Sequence, residues 1–250
     1  MVEYAIRELV RKEDLEEHFR LRYKVYAIEN NYLPESPLNV DITLPDAYSR
    51  HFGLFAVTED VRQQIGGIRI IYSNRRSTNL EKILEIAQAV GVDKRILMGE
   101  LRYLPSEAAF DLHKSVSKSI REGKLSVEFG RGAVNREFRG RKFYSALLDY
   151  CAAEARLSGD SIAVGSCSVG LRGFYEQFGY KVVEEAEVRK YPENGIDSVA
   201  VIWDFVNNAK PPHNRVISNL VRMISSGMEV SICGEGCLER VDYMEHAEEH

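Results

Sequence analysis

The segment KLSVEFGRGAVNREFRGRKFYSALLDYCAAEARLSG, residues 124–159, decides the fold. Its first part alternates apolar and polar side chains and then continues into a short apolar run, a pattern typical of a half-buried or buried β-strand. A polar and basic turn follows at residues 135–142. After it, apolar side chains recur at the spacing of one helical face until Gly159 ends the pattern. The segment therefore predicts a strand, a basic turn and a helix in direct succession.

The predicted turn is a candidate anion site. The first N–H groups of a helix have no intrahelical partner and lie at the positive end of the helix dipole. Four cations surround them: Arg136, Arg139, Arg141 and Lys142. Pyrophosphate is the expected occupant of such a turn. The alternative is a solvated surface turn, and this stretch alone leaves both interpretations open.

The turn and its helix resemble the donor-binding motif of the GCN5-related N-acetyltransferase superfamily, in which Arg/Gln-x-x-Gly-x-Gly/Ala precedes a Leu-Leu pair. Gly140 and Leu147-Leu148 fit this motif, whereas Glu137 and Lys142 depart from it. The resemblance implies an α/β (α+β) fold with a mixed, mostly antiparallel twisted sheet and helices on both faces. It also implies a set of contacts to the thioester donor: Val134, Arg139, Gly140, Arg141 and Lys142.

The segment GLRGFYEQFGYKVV, residues 170–183, resembles the late helix, turn and strand of the same family. There a Tyr stands four residues before a Gly-aromatic pair, and Tyr175 and Gly179-Tyr180 occupy these positions. The resemblance implies that Tyr175 protonates the departing thiolate as a general acid. The alternative is that Tyr175 is an aromatic anchor on an amphipathic helix that Gly179 ends.

Four segments resemble, in the expected order, acyl-homoserine-lactone synthases and long-chain N-acyl amino acid synthases, which share this fold. They are residues 22–26, 45–52, 66–69 and 128–131. Direct transfer to an amine needs a carboxylate that accepts a proton, and Glu128 is the first candidate for this base, with Glu100 in reserve. The predicted acceptor-binding residues are Arg22, Asp46, Arg69 and Arg131.

Ion pairs within the fold are the alternative for several of these charges. Arg22 falls close to the apolar face of its predicted helix, where an arginine is costly unless it is paired or liganded. It either pairs with an Asp or Glu, or grips an acceptor carboxylate with Asp41 or Asp46 behind it. Glu128 and Arg131 are likewise either site residues or a cross-strand ion pair.

Composition limits the function classes. The 250 residues are 44% hydrophobic and 28% charged, typical of a soluble globular protein. The net charge of −5, from 33 Lys and Arg against 38 Asp and Glu, disfavours a nucleic-acid binder. No apolar run approaches the roughly 20 residues of a membrane-spanning helix, and the cysteines form no dense disulfide pattern. We therefore expect a cytoplasmic protein without an integral membrane segment.

Metals and cofactors are not expected, apart from the acyl-CoA or acyl carrier protein that serves as donor substrate. Cys233 and Cys237, with His246 and His250 nearby, have a spacing that fits no common zinc motif.

The domain prediction is an acyltransferase-like domain over residues 1–206 and a C-terminal extension over 207–250. Strands are predicted at 3–10, 51–57, 65–72, 182–189 and 198–206, and helices at 11–26, 79–90, 106–120 and 216–224. Ser106 is the predicted N-cap of its helix. The irregular segment 30–48 is long enough to be a lid over the acceptor.

Three functions remain open at this point. The first is an N-acyltransferase that moves a medium or long acyl chain from a thioester to the amino group of an amino acid or related small amine. The second is an acyl-homoserine-lactone synthase, although these usually carry a Trp after the first helix and the single tryptophan here is Trp203. The third is a non-catalytic domain that binds an acyl carrier or CoA as a sensor, motivated by Glu137 and Lys142. The basic turn favours an acidic acyl carrier protein as the partner over free CoA.

Overall fold

The structure is a computed structural model that describes residues 2–59, 61–192 and 195–232. Cys233, Cys237, His246 and His250, considered above as metal ligands, lie outside the described residues. Among the helices that are described, none combines the length and the apolar character of a membrane span.

The elements follow one another in a mixed α/β order. The strands are β1 Glu3–Glu8, β2 Ser49–Val57, β3 Arg62–Tyr72, β4 Leu125–Val134, β5 Asp160–Ser168, β6 Lys181–Val182, β7 Arg189–Tyr191, β8 Ile196–Asp204 and β9 Val230–Ile232. The α-helices are α1 Lys12–Tyr23, α2 Leu80–Val90, α3 Lys94–Leu97, α4 Pro105–Ala109, α5 His113–Arg121, α6 Phe143–Leu157, α7 Arg172–Phe178 and α8 His213–Ser225. A π-helical turn, Lys24–Glu29, continues α1, and a 3₁₀ turn, Leu44–Tyr48, precedes β2.

One twisted sheet organises the described residues. Its strand order is β6-β8-β5-β4-β3-β2-β1-β9, and β7 also pairs with β8. Neighbouring strands are antiparallel except for β4 and β5, which are parallel. The mixed, mostly antiparallel sheet predicted from the sequence is confirmed.

Two apolar layers cover the two faces of the sheet. Successive strand residues point to opposite faces, and accordingly Ile70 and Ile71 of β3 belong to different core clusters. Leu147 of α6 and Leu220 of α8 pack in the cluster with Ile70, whereas Phe19 of α1 packs with Ile71 on the other face. The helices therefore lie on both faces, as predicted.

The chain beyond residue 206 contributes to this core. Helix α8 packs on α6, and His213 at its start lies 2.9 Å from the Asp149 carboxylate of α6. The ring of His213 also stacks on Phe178, with centroids 3.8 Å apart. Strand β9 extends the sheet by pairing with β1. The domain boundary at residue 206 stays a prediction.

Two predicted elements differ from the structure. The helix predicted at 106–120 is broken into α4 and α5, because Asp111 between them adopts a left-handed φ of 55°. Ser106 is not an N-cap: Pro105 is the first residue of α4, a position that proline favours. The strand predicted at 182–189 is interrupted between β6 and β7, where the N–H of Ala186 closes a turn on the carbonyl of Val183.

Gly67 of β3 allows a close approach of α1 to the sheet. The sequence GG at 66–67 predicts a bulge or a close contact, and the pairing of β3 with β4 shifts register between Gly67 and Arg69. A Cβ on Gly67 would lie 2.5 Å from His18 Nδ1 and 2.9 Å from the carbonyl oxygen of Phe52. The absence of a side chain here therefore sets the depth at which α1 packs.

We predict that Gly67→Ala destabilises the protein by about 1–3 kcal/mol, the usual cost of overpacking, because the backbone oxygen of Phe52 cannot move aside. The matched control is Gly165→Ala on β5, where the nearest atom to a new Cβ, Val201 Cγ2, is 3.8 Å away. Urea unfolding midpoints measure both. Equal midpoints for the two variants would show that α1 adjusts without cost.

Candidate active site

The central feature of the sheet is a gap between β4 and β5. Their parallel pairing runs from Leu125 to Glu128 on β4 and ends at Val164 on β5. Beyond this point β4 stays with β3 as far as Val134, and β5 stays with β8 as far as Ser168. The two strands therefore separate immediately after Glu128.

A bulge in β4 bends the strand away from β5. Residues 131 and 132 together face a single residue of β3, Ile68, because Gly130 pairs with Arg69 and Ala133 pairs with Gly67. Arg131 adopts a left-handed φ of 53° at this bulge. Bulges of this kind re-aim side chains and bend the strand that carries them.

A cavity of about 290 Å³ fills the gap. Its lining includes Glu128, Arg69 and Ser166 on the face of the sheet that α1 covers, and Tyr144 and Tyr175 on the face that α6 covers. The cavity therefore connects the two faces through the sheet. Two other parts of the chain also line the cavity. They are the loop residues Thr43 and Pro45, and the residues Tyr191, Pro192, Ile196 and Ser198 around the β7–β8 turn.

Glu128 presents a carboxyl group that is nearly buried, with 5% exposure. The backbone N–H of Ser106 donates to its Oε2 at 2.7 Å, and the Ser106 hydroxyl donates to its Oε1 at 2.9 Å. Burial raises the pKa of Glu128 to about 7, against the Ser106 hydrogen bonds and the charges of Arg69 and Arg131, which lower it. Near neutral pH this carboxyl can both take and release a proton.

Arg22 lies under the cavity in a buried ion network. Its Nη2 donates to Asp41 Oδ2 at 2.8 Å and its Nη1 donates to Asp46 Oδ1 at 2.6 Å, and both Arg22 and Asp46 have no exposed surface. Asp46 also accepts from Arg69 Nη1 at 2.6 Å and from the N–H of Thr43 at 2.8 Å. These arginines hold the pKa of Asp46 well below its usual value.

This arrangement differs from the prediction that Arg22 and Asp46 bind the acceptor directly. Neither side chain lines the cavity, because their polar atoms are turned to one another and to Arg69. The structure shows the ion pair that was one of the two interpretations of Arg22, and its partners are Asp41 and Asp46. Binding of an acceptor by Arg22 stays a prediction. The structure shows that Asp46 binds the guanidinium groups of both Arg22 and Arg69.

Arg69 and Arg131 bring positive charge to the cavity wall. Arg69 is 4% exposed, and within the described residues its Nε has no hydrogen-bond partner. Burial lowers the pKa of Arg69. Arg131 Nε is 3.2 Å from Asp41 Oδ2, and its guanidinium lies over the ring of Tyr26 at 5.1 Å. The network thus joins the guanidinium groups of Arg22, Arg69 and Arg131 to two carboxylates, those of Asp41 and Asp46.

Tyr175 presents its hydroxyl from the opposite face of the sheet, 2.8 Å from the hydroxyl of Tyr144. Burial raises the pKa of both phenols above the ordinary 10, so both stay protonated at neutral pH. The second reading of Tyr175 also holds in part, since α7 ends at Gly179 with a φ of 113° and the Tyr175 ring packs on Tyr180 at 5.2 Å. Gly132 makes room for this pair: a Cβ there would lie 2.2 Å from Tyr144 Cε2.

The predicted donor residues gather at the start of α6. A second cavity of about 350 Å³ is lined by Val134, Arg139, Gly140 and Lys142, and it shares Tyr144 and Leu171 with the first. Arg139 donates to the carbonyl of Val134 at 2.9 Å and pairs with Glu29. Arg141 lies outside this lining, with its Nη1 3.3 Å from the Tyr4 hydroxyl. Contact of these residues with a donor stays a prediction.

The sequence did not indicate a place in the site for three residues: Ser106, Tyr144 and Ser166. Ser106 comes from the helical segment between β3 and β4, residues 73–124, here called the insertion, whose packing no motif indicated. Tyr144 stands inside the segment that decides the fold, but helical spacing alone does not show that its ring reaches Gly132.

Glu100, the reserve base, is exposed, pairs with Arg102 at 3.3 Å and does not line the cavity.

No protein-family model and no curated protein sequence matches the chain. Solved structures do match. FeeM, an N-acyl amino acid synthase from uncultured soil microbes, aligns with a TM-score of 0.59 and 14% identity over 86% of this chain and 99% of that chain. BjaI, a CoA-dependent acyl-homoserine lactone synthase, aligns with a TM-score of 0.52 and 17% identity over 89% of this chain and 90% of that chain.

The chain has the GCN5-related N-acetyltransferase fold. The family resemblance stated from the sequence motifs is confirmed at the level of the fold. At these identities the likeness does not assign a substrate, so activity has to be argued from the site.

We predict that Glu128→Gln stabilises the protein relative to wild type as the pH rises. The folded state holds the Glu128 proton up to a pKa of about 7, whereas the ordinary value is 4.5. Stability from this group is therefore complete below about pH 4.5 and is lost as the pH rises through about 7. The loss amounts to about 3 kcal/mol, which Glu128→Gln avoids.

Urea unfolding at pH 5, 6, 7 and 8 measures this difference. The control is Glu187→Gln, a change at an exposed carboxylate, which should follow the wild-type pH profile. A Glu128→Gln profile that also runs parallel to wild type would mean that Glu128 titrates as an ordinary carboxylate.

Proposed function

We propose that this protein is an N-acyltransferase that moves a medium or long acyl chain from an acyl carrier protein or acyl-CoA thioester to the amino group of an amino acid or related small amine. The observation that carries the proposal is the gap between β4 and β5, with Glu128 at one face of the sheet and the Tyr175 hydroxyl at the other. A thioester in this gap would have a base for its nucleophile and an acid for its leaving group. A cytoplasmic location is part of the proposal.

The proposed reaction moves two protons off the nitrogen. The amine arrives as an ammonium ion, and one N–H proton passes to Glu128, which frees the lone pair to attack the thioester carbonyl carbon. As the C–N bond forms and the C–S bond breaks, the nitrogen loses a second proton to solvent and Tyr175 gives its hydroxyl proton to the sulfur. Solvent then restores Tyr175 and takes the proton from Glu128. An N–H of β4 between residues 132 and 134 is the expected donor to the oxyanion.

The acceptor proposed for this site carries a carboxylate. Arg69 and Arg131 line the cavity beside Glu128, and the Nε of Arg69 is buried without a partner in the described chain. An unpaired buried donor of this kind costs free energy that an anion recovers. The fork of a guanidinium also matches a carboxylate in two parallel hydrogen bonds.

The donor proposed for the start of α6 is a pantetheine thioester, with an acyl carrier protein favoured over free CoA. Arg136, Arg141 and Lys142 are exposed beside the second cavity, where the pantetheine arm would enter. A carrier protein is acidic, and complementary charge speeds and orients its docking. FeeM, named as an N-acyl amino acid synthase, supports the acceptor class by its fold.

The first test gives purified protein palmitoyl carrier protein or palmitoyl-CoA with a pool of amino acids, follows free-thiol release and identifies the product by mass. We expect an N-acyl amino acid, and a loss of about 10²- to 10⁴-fold in kcat for Glu128→Gln and for Tyr175→Phe. Because Glu128 must be ionised to accept a proton, kcat/KM should rise with pH through about 7 in the wild type, and Glu128→Gln should lack this rise.

Tyr103→Phe is the matched control, since Tyr103 is 47% exposed and does not line the cavity. Donor binding without thiol release, across acyl lengths and amines including S-adenosylmethionine, would overturn the proposal in favour of the sensor. Thiol release with S-adenosylmethionine alone would identify a homoserine-lactone synthase.

The carboxylate requirement gives a separate prediction. An amino acid amide, which keeps the amine and loses the charge, should react with a kcat/KM about 10- to 100-fold lower than the amino acid, because a hydrogen bond to a charged group is worth about 1.5–3 kcal/mol. Arg69→Gln should bring the kcat/KM values of the amino acid and its amide closer together, while KM for the donor stays unchanged. Equal rates for the acid and the amide would exclude carboxylate recognition here.

A further inference from the structure

Two serine hydroxyls connect Glu128 to the cavity. The Ser106 hydroxyl lies 2.9 Å from Glu128 Oε1, and the hydroxyl oxygens of Ser106 and Ser166 are 3.3 Å apart. Ser106 is fully buried, whereas Ser166 is half-buried and lines the cavity. The three groups thus form a chain that starts at the cavity wall and ends at the carboxyl.

The carboxyl itself offers an incoming ammonium little room. Ser106 occupies both of its oxygens, the backbone N–H at Oε2 and the hydroxyl at Oε1. Only 5% of Glu128 is exposed. Ser166, which lines the same cavity, is more exposed than Glu128.

We propose that Ser166 takes the proton of the attacking amine and that Ser106 passes a proton on to Glu128, as a two-hydroxyl relay. This inference rests on the proposed function, because it requires Glu128 to be the base. Ser166 would contact the substrate, and Ser106 is a positioning residue that acts through Glu128.

The hydrogen count fixes the direction of the relay. An ionised carboxylate only accepts, so the single hydrogen of Ser106 points to Glu128 and that of Ser166 points to Ser106. One N–H bond of the ammonium breaks and one O–H bond forms on Ser166. The former Ser166 hydrogen moves to Ser106, and the former Ser106 hydrogen moves to Glu128. Both serines end as neutral hydroxyls, Glu128 ends protonated and the nitrogen keeps its lone pair.

The relay also gives the insertion between β3 and β4 a role in the site. Ser106 is the second residue of α4, and Pro105 before it lines the cavity. The β4 strand supplies Glu128 and the β5 strand supplies Ser166, but these strands have already separated on the cavity side of Glu128. Ser106 reaches across from the insertion and links the two.

The first measurement reads the titration of Glu128 without turnover, by infrared difference spectra of its carboxyl band, assigned by subtraction of Glu128→Gln. Ser106→Ala keeps the backbone N–H bond and removes the hydroxyl bond, so the pKa of Glu128 should rise by about one or more. Ser166→Val should raise it less, because Ser166 acts on Glu128 only through Ser106. Ser126→Ala, two residues before Glu128 on β4, should leave it unchanged, since the Ser126 hydroxyl has no partner in the described chain.

The second measurement compares two variants of the same shape. Ser166→Thr keeps a hydroxyl and Ser166→Val does not. The relay predicts that Ser166→Val lowers kcat about tenfold or more below Ser166→Thr, with KM for the donor equal in both. It also predicts that Ser106→Ala moves the rise of kcat/KM to higher pH.

The outcomes separate this inference from the proposed function. If wild type transfers no acyl group, the proposed function fails, and the order of Glu128 pKa values in Ser106→Ala and Ser166→Val still decides whether the hydroxyls are coupled to the carboxyl. If wild type is active but Ser166→Val equals Ser166→Thr in kcat, the relay is overturned while the transferase stands. An unchanged Glu128 pKa in Ser106→Ala overturns the relay in either case.

Discussion

The structure depends on the place where β4 and β5 stop pairing. Parallel neighbours in the middle of a sheet normally continue their ladder, since unpaired backbone groups in a protein interior are costly. Here the ladder ends at Glu128, and the bulge at Arg131 turns β4 aside. That break opens a passage through the sheet at its centre, so that groups on its two faces line the same cavity.

The ion network behind the passage explains how so much charge is tolerated. Arg22 is completely buried and pairs with two carboxylates, Asp41 and Asp46, which compensate its charge in the protein interior. Asp46 serves Arg22, Arg69 and the loop at Thr43 at once, which ties helix α1, strand β3 and the 3₁₀ turn before β2 to a common point. The network fixes the guanidinium of Arg69 at the cavity wall, and in the part of the chain that the structure describes the Nε of Arg69 has no hydrogen-bond partner.

Most elements of the fold could be predicted from local sequence patterns. Alternating residues predicted β3 and β4, helical spacing predicted α2, α6 and α8, and Gly179 marked the end of α7. The family resemblance also indicated Glu128, Tyr175, Arg69 and Arg131, and all four line one cavity.

Contacts between segments that are distant in sequence could not be predicted from local patterns. The position of Ser106 in the sequence is compatible with a helix N-cap. Its contact with Glu128 arises only from the packing of the insertion. Arg22 left two readings open because the burial of an arginine depends on which carboxylates the loop at 30–48 brings to it. The prediction of a continuous strand at 182–189 was wrong, because the alternation of residues gives no sign of the turn that Ala186 closes.

The pairing of β9 with β1 joins the two ends of the described chain. Strand β1 precedes the other described strands in the chain, yet its outer edge is covered only once residues 230–232 have been synthesised. Until then an unpaired strand edge is exposed, which is a known template for association with other chains. A nascent or proteolysed chain without β9 thus carries an open edge beside an otherwise complete site. Three residues of β9 thus cover an edge that would otherwise be open to pairing with another chain.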